Sequence, residues 1–213
     1  MAGLFGFINT ATIKNIGLTN VNITGGDNAY IGGLVGYSYN SIVSNSYSTG
    51  SVTGGVNARV GGLVGGNSNA STVSNSYSTV SVTGGSGALL GGLVGYNNSA
   101  AVSNSYSSGS VTSNINYAYV GGLVGGNLNN STVSNSYSTA SVIGGTGSIL
   151  GGLVGVNNSS NVSNSYYDKT LVTGMADESS YGKTTKELHF VPCRNKRCGT
   201  YLFQFLPPIC TQD

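Results

Sequence analysis

Charged side chains are scarce in this sequence, and most of them lie at one end. Only 7% of the 213 residues are charged, and the formal net charge is +2. Between Asn28 and Tyr167 the only formally charged side chain is Arg59. So small a net charge argues against a nucleic acid or an anionic membrane as partner. The uneven placement divides the chain into an uncharged array and a chemically different C-terminal region that begins at Asp168.

Long apolar runs and helical periodicity are also missing. A membrane-spanning helix needs about 20 consecutive apolar residues, and Gly, Ser and Asn interrupt every run in this chain. No window keeps an apolar period of 3.6 residues, which argues against amphipathic helices. Residues 1–8 lack the basic start and long apolar core of a signal peptide. Because the repeat pattern is already present at residue 3, we expect a piece of a longer exported chain without membrane insertion.

Residues suited to catalysis are few and scattered. The chain has one histidine, His189, and none of the repeats places a base beside a serine or threonine nucleophile. Asp27 and Asp168 are far apart in the array, so they cannot act as a carboxylate pair. We therefore predict a non-enzymatic protein with no catalytic residue, no cofactor and no metal site.

The three cysteines lie together in an atypical tail, residues 189–213. Cys193 and Cys198 do not have the Cys-x-x-Cys spacing of a zinc knuckle, and three cysteines are an odd set. A Cys193–Cys198 disulfide, or free thiols in a disordered tail, is therefore favoured over a zinc site that would take His189 as fourth ligand. The basic residues between these cysteines have no interleaved aromatic side chains, which favours a solvated tail over a nucleic-acid surface.

What the chain has in abundance is glycine, arranged in a repeat. Gly-Gly-Leu-Val-Gly occurs five times at steps of 29 or 30 residues, each followed by Val-Ser-Asn-Ser-Tyr and then by Ser-Val-Thr or a variant. These words are rich in β-branched residues and bounded by turn formers, which indicates strands and corners. We predict an all-β parallel β-solenoid of about five to six 30-residue coils with three short strands per coil. An antiparallel sandwich or propeller fits less well, because a blade takes about 40 residues or more.

Alternation within the words predicts which side chains face the interior. In the second word Val43, Asn45 and Tyr47 share one face, which we expect to be internal, with the asparagines hydrogen-bonded along the stack. In the third word Val52 and its equivalents are expected inside and the hydroxyls outside. The outward hydroxyls form a candidate binding ladder: Thr49, Ser51, Thr53, Thr79, Ser81, Thr83, Ser108, Ser110 and Thr112. Short hydroxyls also simply suit a flat stacked sheet, and this interpretation needs no ligand.

The first word breaks the alternation, because Leu34 and Val35 are adjacent and both apolar. Either a glycine bulge turns both columns inward, or one column is an exposed stripe through which copies associate. Glycines flank the pair where a bulge needs them, so the bulge is favoured.

The three words in this order resemble the GLUG repeat of bacterial and archaeal surface proteins, over roughly residues 2–187. Within that span, residues 1–167 are similar to the repeats, and residues 168–188 resemble the polar segment that often closes such an array. The resemblance implies a secreted or cell-surface protein, commonly a filamentous-haemagglutinin-like adhesin. In some relatives the repeats adjoin a peptidase domain, but the family assigns no catalytic residue to the repeats.

Two classes of function remain open. One is a cell-surface adhesion or scaffolding module that binds a host or polysaccharide ligand. The other is a self-assembling fibre, because an open solenoid end has unpaired strand edges that favour end-to-end association. Ice or glycan binding through the hydroxyl ladder is a third possibility, although Ile143 interrupts one of its rows.

Overall fold

The chain winds into a parallel β-solenoid. The computed structural model describes residues 1–113, 115–172 and 182–184. Equivalent residues of successive coils pair in parallel at separations of about 30 residues: Val43 pairs with Val73, and Val73 with Val102. The predicted solenoid with 30-residue coils is therefore confirmed.

The strands follow one another around six coils. The first coil holds β1 (Phe5–Asn9), β2 (Thr12–Lys14) and β3 (Gly17–Thr24). The second holds β4 (Tyr30–Gly32), β5 (Val35–Tyr39), β6 (Ile42–Ser44) and β7 (Tyr47–Thr53). The third holds β8 (Arg59–Gly61), β9 (Val64–Ser68), β10 (Thr72–Ser74), β11 (Tyr77–Ser78) and β12 (Ser81–Thr83).

The later coils repeat the third. The fourth holds β13 (Leu89–Gly91), β14 (Val94–Asn98), β15 (Ala101–Ser103), β16 (Tyr106–Ser107) and β17 (Ser110–Ser113). The fifth holds β18 (Tyr119–Gly121), β19 (Val124–Leu128), β20 (Thr132–Ser134), β21 (Tyr137–Ser138) and β22 (Ser141–Gly144). The sixth holds β23 (Ile149–Gly151), β24 (Val154–Asn158), β25 (Asn161–Ser163), β26 (Tyr166–Asp168) and the short 3-10 helix Lys169–Leu171, and β27 (Gly182–Lys183) pairs with β26.

These strands stack into four sheets, which we name A to D. Sheet A contains β4, β8, β13, β18 and β23; sheet B contains β1, β5, β9, β14, β19 and β24; sheet C contains β2, β6, β10, β15, β20 and β25; and sheet D contains the others. The expectation of three strands per coil is wrong, since the third, fourth and fifth coils each have five short strands. The first and second words each contain a corner that divides them between two sheets.

The corner in the second word is made by its asparagine. Asn45 has a φ of 49°, and its equivalents in the other coils also have positive φ. They are Asn15, Asn75, Asn104, Asn135 and Asn164. Asparagine tolerates this left-handed conformation better than most residues. The predicted inward facing of Val43 is therefore confirmed, but that of Asn45 and Tyr47 is wrong. The chain turns at Asn45, which is exposed, so Ser46 and Ser48 point inward and Tyr47 is only partly buried.

The Leu34 and Val35 columns both face the interior, as the bulge hypothesis predicted. Both side chains are fully buried, and their equivalents are buried in the following coils except for Val154 in the last, which is partly buried. The amides of Leu34 and Val35 donate to the same carbonyl, that of Leu63, and this arrangement recurs from coil to coil. Because Gly32 pairs with Gly61 and Val35 with Val64, neither coil has an extra residue, and the shared carbonyl marks a bend that every coil makes at the same place. No exposed Leu or Val stripe is left at this position for association between copies.

The interior divides into two apolar clusters. One is built on the Leu34, Val35 and Val43 columns, and the other on the Ile31, Val52 and Ala58 columns. The predicted inward facing of the Val52 column is thus confirmed. In the second to fifth coils the second glycine of the first word meets an inward serine from sheet D; the Ser107 hydroxyl, for example, donates to the Gly122 carbonyl oxygen at 2.6 Å.

The internal asparagine ladder exists, but at a different position from the one predicted. It is formed by Asn67, Asn97, Asn127 and Asn157, which follow the first word in their coils. Each amide nitrogen donates to the carbonyl oxygen of the next asparagine, at 2.9, 2.8 and 2.8 Å. Buried amides remain stable only when they are hydrogen-bonded in this way. In the second coil the same position is Ser38, which pairs in register with Asn67.

Tyrosines form a second ladder, on sheet D. The rings of Tyr47, Tyr77, Tyr106 and Tyr137 stack in parallel with centroids 4.8, 4.8 and 4.9 Å apart. This separation matches the spacing of neighbouring strands, about 4.8 Å, so the register of the coils holds the rings face to face. Burial raises the pKa of Tyr77, Tyr106 and Tyr137, and in each case the preceding tyrosine of the ladder raises it further.

We expect this tyrosine ladder to make the fold sensitive to alkali. The folded state holds these phenolic protons more tightly than the unfolded state. The contribution of the protonated ladder to stability is therefore fully present below the ordinary tyrosine pKa of 10.0 and is lost as the pH rises through the raised pKa values. In a pH titration followed by phenolate absorbance, one group of tyrosines should ionise at higher pH than the rest, and this second step should be absent in guanidinium chloride. Circular dichroism should be lost at the same pH as the second step. A single native transition for all 14 tyrosines with the fold intact would contradict this prediction.

Described parts of the predicted closing segment lie on the last coil. Tyr167 takes the place of the inward serine column, pairs with Ser138 and is only 3% exposed, beside Gly152. Its neighbour Asp168 accepts hydrogen bonds from the backbone amide and the hydroxyl of Thr170, at 3.0 and 2.6 Å. Val172 of the same segment packs against both apolar clusters, and the capping role of residues 168–188 stays a prediction. The disulfide hypothesis and the tail, residues 189–213, lie outside the described residues.

Candidate functional site

The predicted hydroxyl ladder lies on the outer side of sheet D. All nine residues are partly or fully exposed. Ser51, Ser81 and Ser110 form one column, and Thr53, Thr83 and Thr112 form another. The structure thus brings these residues together on one face, as the alternation within the third word predicted.

The hydroxyls of this ladder bond to one another along the axis. Thr53 and Thr83 are joined by their Oγ1 atoms at 2.9 Å, and Ser81 and Ser110 by their Oγ atoms at 2.6 Å. Such bonds use some of the hydroxyl donors and acceptors that would otherwise be available to a ligand. The columns are also irregular: Ile143 follows Thr112 and is 45% exposed, and Asn22 precedes Ser51. This arrangement stabilises the sheet and is poorly suited to matching a regular lattice.

A second surface, which the sequence analysis missed, lies over sheets A and B. Tyr30 on β4 and Tyr37 on β5 flank the first word, and their ring centroids are 4.6 Å apart. Phe7 stacks on Tyr37 at 6.0 Å, and Tyr96 meets Tyr30 edge-on at 6.3 Å. The guanidinium of Arg59 lies 5.2 Å from the Tyr30 ring centre. We call these five side chains the aromatic patch.

Glycine makes room for the aromatic patch. Gly66 occupies the position of Tyr37 one coil later, and a Cβ there would lie 2.6 Å from ring carbons of both Tyr30 and Tyr37. Phe7 and Tyr37 are neighbours in this column, and from Tyr37 onward large and small residues alternate as Tyr37, Gly66, Tyr96 and Gly126. The two tyrosine rings therefore lean over Gly66, between the flanking aromatic side chains.

The electrostatics of the patch centre on Arg59. Burial raises the pKa of the Tyr96 hydroxyl. The neighbouring Tyr30 and Tyr37 raise this pKa further, and the positive charge of Arg59 lowers it. One N–H of Arg59 donates to the Asn57 carbonyl oxygen at 3.1 Å. No ion pair involves Arg59 in the part of the chain that the structure describes. A guanidinium has five N–H donors, so the remaining ones are available to a ligand.

Two signals in the sequence point to this patch. Arg59 is the only charged side chain between Asn28 and Tyr167. The residue after each Gly-Gly-Leu-Val-Gly word also varies between tyrosine, glycine and valine, whereas the words themselves scarcely vary. The contact between the side chains of the patch could not be predicted, because it depends on the bend that brings Tyr30 and Tyr37 together.

Within residues 1–113, 115–172 and 182–184, no group of three histidine, cysteine, aspartate or glutamate side chains could hold a metal ion. In the same residues no helix has the length and apolar character needed to cross a membrane.

Comparison with known families agrees with the repeat geometry. The family model for the GLUG motif matches residues 27–53, 56–83, 86–112 and 116–143, just over half of the chain. The chain belongs to the GLUG-motif family. The four matched GLUG repeats span the second to the fifth coil, and the first and sixth coils continue the same strand pairing.

The fold of this GLUG array is also seen in a solved structure. It is a crystal structure from Bacteroides ovatus described as that of a "putative immunoglobulin A1 protease". The superposition has a TM-score of 0.71 with 24% sequence identity, and it covers 87% of this chain but 64% of that one. A likeness at this identity concerns the fold alone. Among curated proteins, no sequence matches this chain.

Proposed function

We propose that this GLUG array is a non-enzymatic adhesion module of a secreted or cell-surface protein. It would act as a rigid rod that presents a binding face at a distance from the point where the protein is attached to the cell. The observation that carries the proposal is the continuity of the interior. Apolar, asparagine and tyrosine columns run in register from coil to coil, so each coil supports its neighbours. Such a rod resists bending, which suits a scaffold that presents a surface.

The outer faces support the adhesion role. They carry hydroxyls, amides and aromatic rings with almost no charge. Side chains of this kind bind neutral or weakly charged surfaces through hydrogen bonds and ring contacts. The extracellular location rests on the GLUG membership.

A self-assembling fibre is the second candidate, favoured by the first coil. In this polypeptide β1 and β2 are the terminal strands of sheets B and C, and β3 pairs only with β7. Leu4 and Phe7 on the same coil are 58% and 52% exposed. In a chain that begins at this coil, such strand edges beside exposed apolar side chains are sites of strand addition, and end-to-end stacking of copies would extend the rod.

We expect beads coated with the folded chain to be retained on surfaces of host cells or immobilised polysaccharides, whereas beads coated with heat-denatured chain are not. Electron microscopy of the same preparation should show separate rods of about 25 Å, as six coils at about 4.8 Å require. Leu4→Lys places a charge at the open end and serves as the control for association.

Three outcomes separate the two candidates. Retention by separate rods supports the adhesion module. Long filaments without any ligand, abolished by Leu4→Lys, would make the fibre the primary function. Absence of retention on every surface would refute adhesion, and peptide cleavage by the purified chain would refute the non-enzymatic assignment.

A further inference from the structure

The aromatic patch has the composition of a sugar-binding site. Its side chains are rigid rings with a polar tip and one guanidinium, which give large contact areas at little cost in conformational entropy. The flat apolar face of a pyranose ring packs on an aromatic face, and tyrosine hydroxyls can bond to the sugar hydroxyls. Phe7 is 52% exposed, and Tyr30, Tyr37, Tyr96 and Arg59 are each partly exposed.

The size of the patch favours an oligosaccharide over a protein. A stable protein–protein interface involves about 20 to 30 residues on each side. The aromatic patch has five side chains, and the glycines of the first word beside it, such as Gly32 and Gly61, are buried against backbone and add no side chain to the surface. A narrow ligand that lies along the rod axis fits this surface better than a globular partner.

The charge of the patch favours an anionic sugar. Arg59 pairs in register with Tyr30 on one side and Leu89 on the other, so it is the one cation in its column. Guanidinium groups pair with carboxylates through two parallel hydrogen bonds. The Tyr30 ring beside the guanidinium, 5.2 Å away, limits its movement and prepares it for such a contact.

We propose that the aromatic patch binds an acidic oligosaccharide, with the sugar rings on Phe7, Tyr37 and Tyr96 and a uronate carboxylate on Arg59. This inference rests on the proposed adhesion function and names the class of its ligand. It also places the ligand on sheets A and B and not on the hydroxyl ladder of sheet D.

The test is affinity electrophoresis of the full chain in gels that contain polygalacturonate, or a soluble neutral β-glucan as the uncharged probe. Arg59→Gln should weaken polygalacturonate binding about tenfold, which corresponds to about 1.4 kcal/mol, and leave binding of the neutral polymer nearly unchanged. Tyr37→Ala should weaken binding of both. Because Arg59→Gln also removes one positive charge from a chain of net charge +2, Lys14→Gln, which removes a charge from exposed β2 outside the patch, is its charge control and should bind polygalacturonate like the wild type.

Two control variants locate the site. Tyr117→Ala removes a tyrosine that is 67% exposed and outside the patch, and Thr83→Val removes a hydroxyl of the ladder. Both should bind like the wild type, and the thermal midpoints of all variants should show that they are folded.

The outcomes distinguish the patch from the wider function. Weakened binding in Arg59→Gln and Tyr37→Ala with both controls intact supports the patch. Equal binding by all variants, loss only in Thr83→Val, or no binding of polygalacturonate by the wild type would overturn it. If the beads of the preceding experiment are still retained, adhesion stands without this site; if they are not, adhesion itself has failed.

Discussion

Gly91→Ala should prevent the chain from folding normally, with a loss of about 4 kcal/mol or more, a size reserved for severe clashes in a packed interior. A Cβ at this position would meet the carbonyl oxygen of Val94 in its own coil and lie 2.6 Å from the backbone nitrogen of Gly125 in the next. Both atoms belong to backbone that is held in a ladder, so neither can move aside. Urea denaturation and far-ultraviolet circular dichroism would measure the loss.

Gly26→Ala is the matched control for this substitution. A Cβ at Gly26 would have no heavy atom within 4 Å, so the new methyl group points into open space. We expect stability equal to the wild type within about 0.5 kcal/mol, as for surface changes in general. Wild-type stability in Gly91→Ala would show that the coils are packed less closely than these distances require.

Asn97→Leu should destabilise the chain by about 3 kcal/mol. Asn97 is fully buried; it accepts from Asn67, donates to Asn127 and also donates to the Ala100 carbonyl oxygen at 3.2 Å. Leucine has a similar volume but no polar atom, so the Asn127 oxygen loses its donor and the Asn67 amide loses an acceptor. The Ala100 carbonyl oxygen keeps its bond from the Thr132 amide. Each buried group left unpaired costs about 1 to 3 kcal/mol, and the midpoint of urea unfolding measures the sum.

Two further substitutions serve as a control and as a test of the opposite sign. Asn98→Leu changes the next residue of β14, which is partly exposed, and should have an effect below about 1 kcal/mol. Ser38→Asn should have the opposite sign, because the Oγ of Ser38 and the Oδ1 of Asn67 are both buried without a partner. An added amide at position 38 would donate to Asn67 and stabilise by about 1 kcal/mol. Equal losses in Asn97→Leu and Asn98→Leu would show that the ladder contributes nothing.

Much of the fold could be predicted from the spacing of a few apolar residues. The steps between the Leu34, Leu63 and Leu93 positions set the coil length, and the inward facing of Val52 followed from simple alternation. The facing of Asn45 could not be found in this way. Alternation assumes a continuous strand, and one left-handed residue inside a word reverses the faces on either side of it.

The two roles of asparagine illustrate the same limit. Asn45 and Asn67 are both polar residues beside apolar columns, yet Asn45 forms an exposed corner and Asn67 begins the buried ladder. Asparagine is suited to both, through its tolerance of positive φ and through its amide. Which role each takes depends on where the corners of the stacked coil fall, and that is a property of the packed chain.

The candidate sites divide along the same line. The hydroxyl ladder joins residues two apart on one strand and equivalent residues of successive coils, so the sequence was enough to locate it. The aromatic patch joins Tyr30 and Tyr37 across a bend, with Tyr96 two coils away from Tyr37. Such a meeting depends on the angle between sheets A and B and on Gly66, which leaves space for the rings.

The sequence alone determined the repeat length, the GLUG family and the near absence of charge. It also determined the parallel solenoid, because identical words at a constant step bury their apolar residues by stacking in register. Only the tertiary structure decided the number of sheets, the position of the asparagine ladder, the inward turn of both Leu34 and Val35, and the aromatic patch. Each of these depends on a backbone turn at one or two residues, and a turn of that kind changes the direction of every side chain after it without altering the repeat.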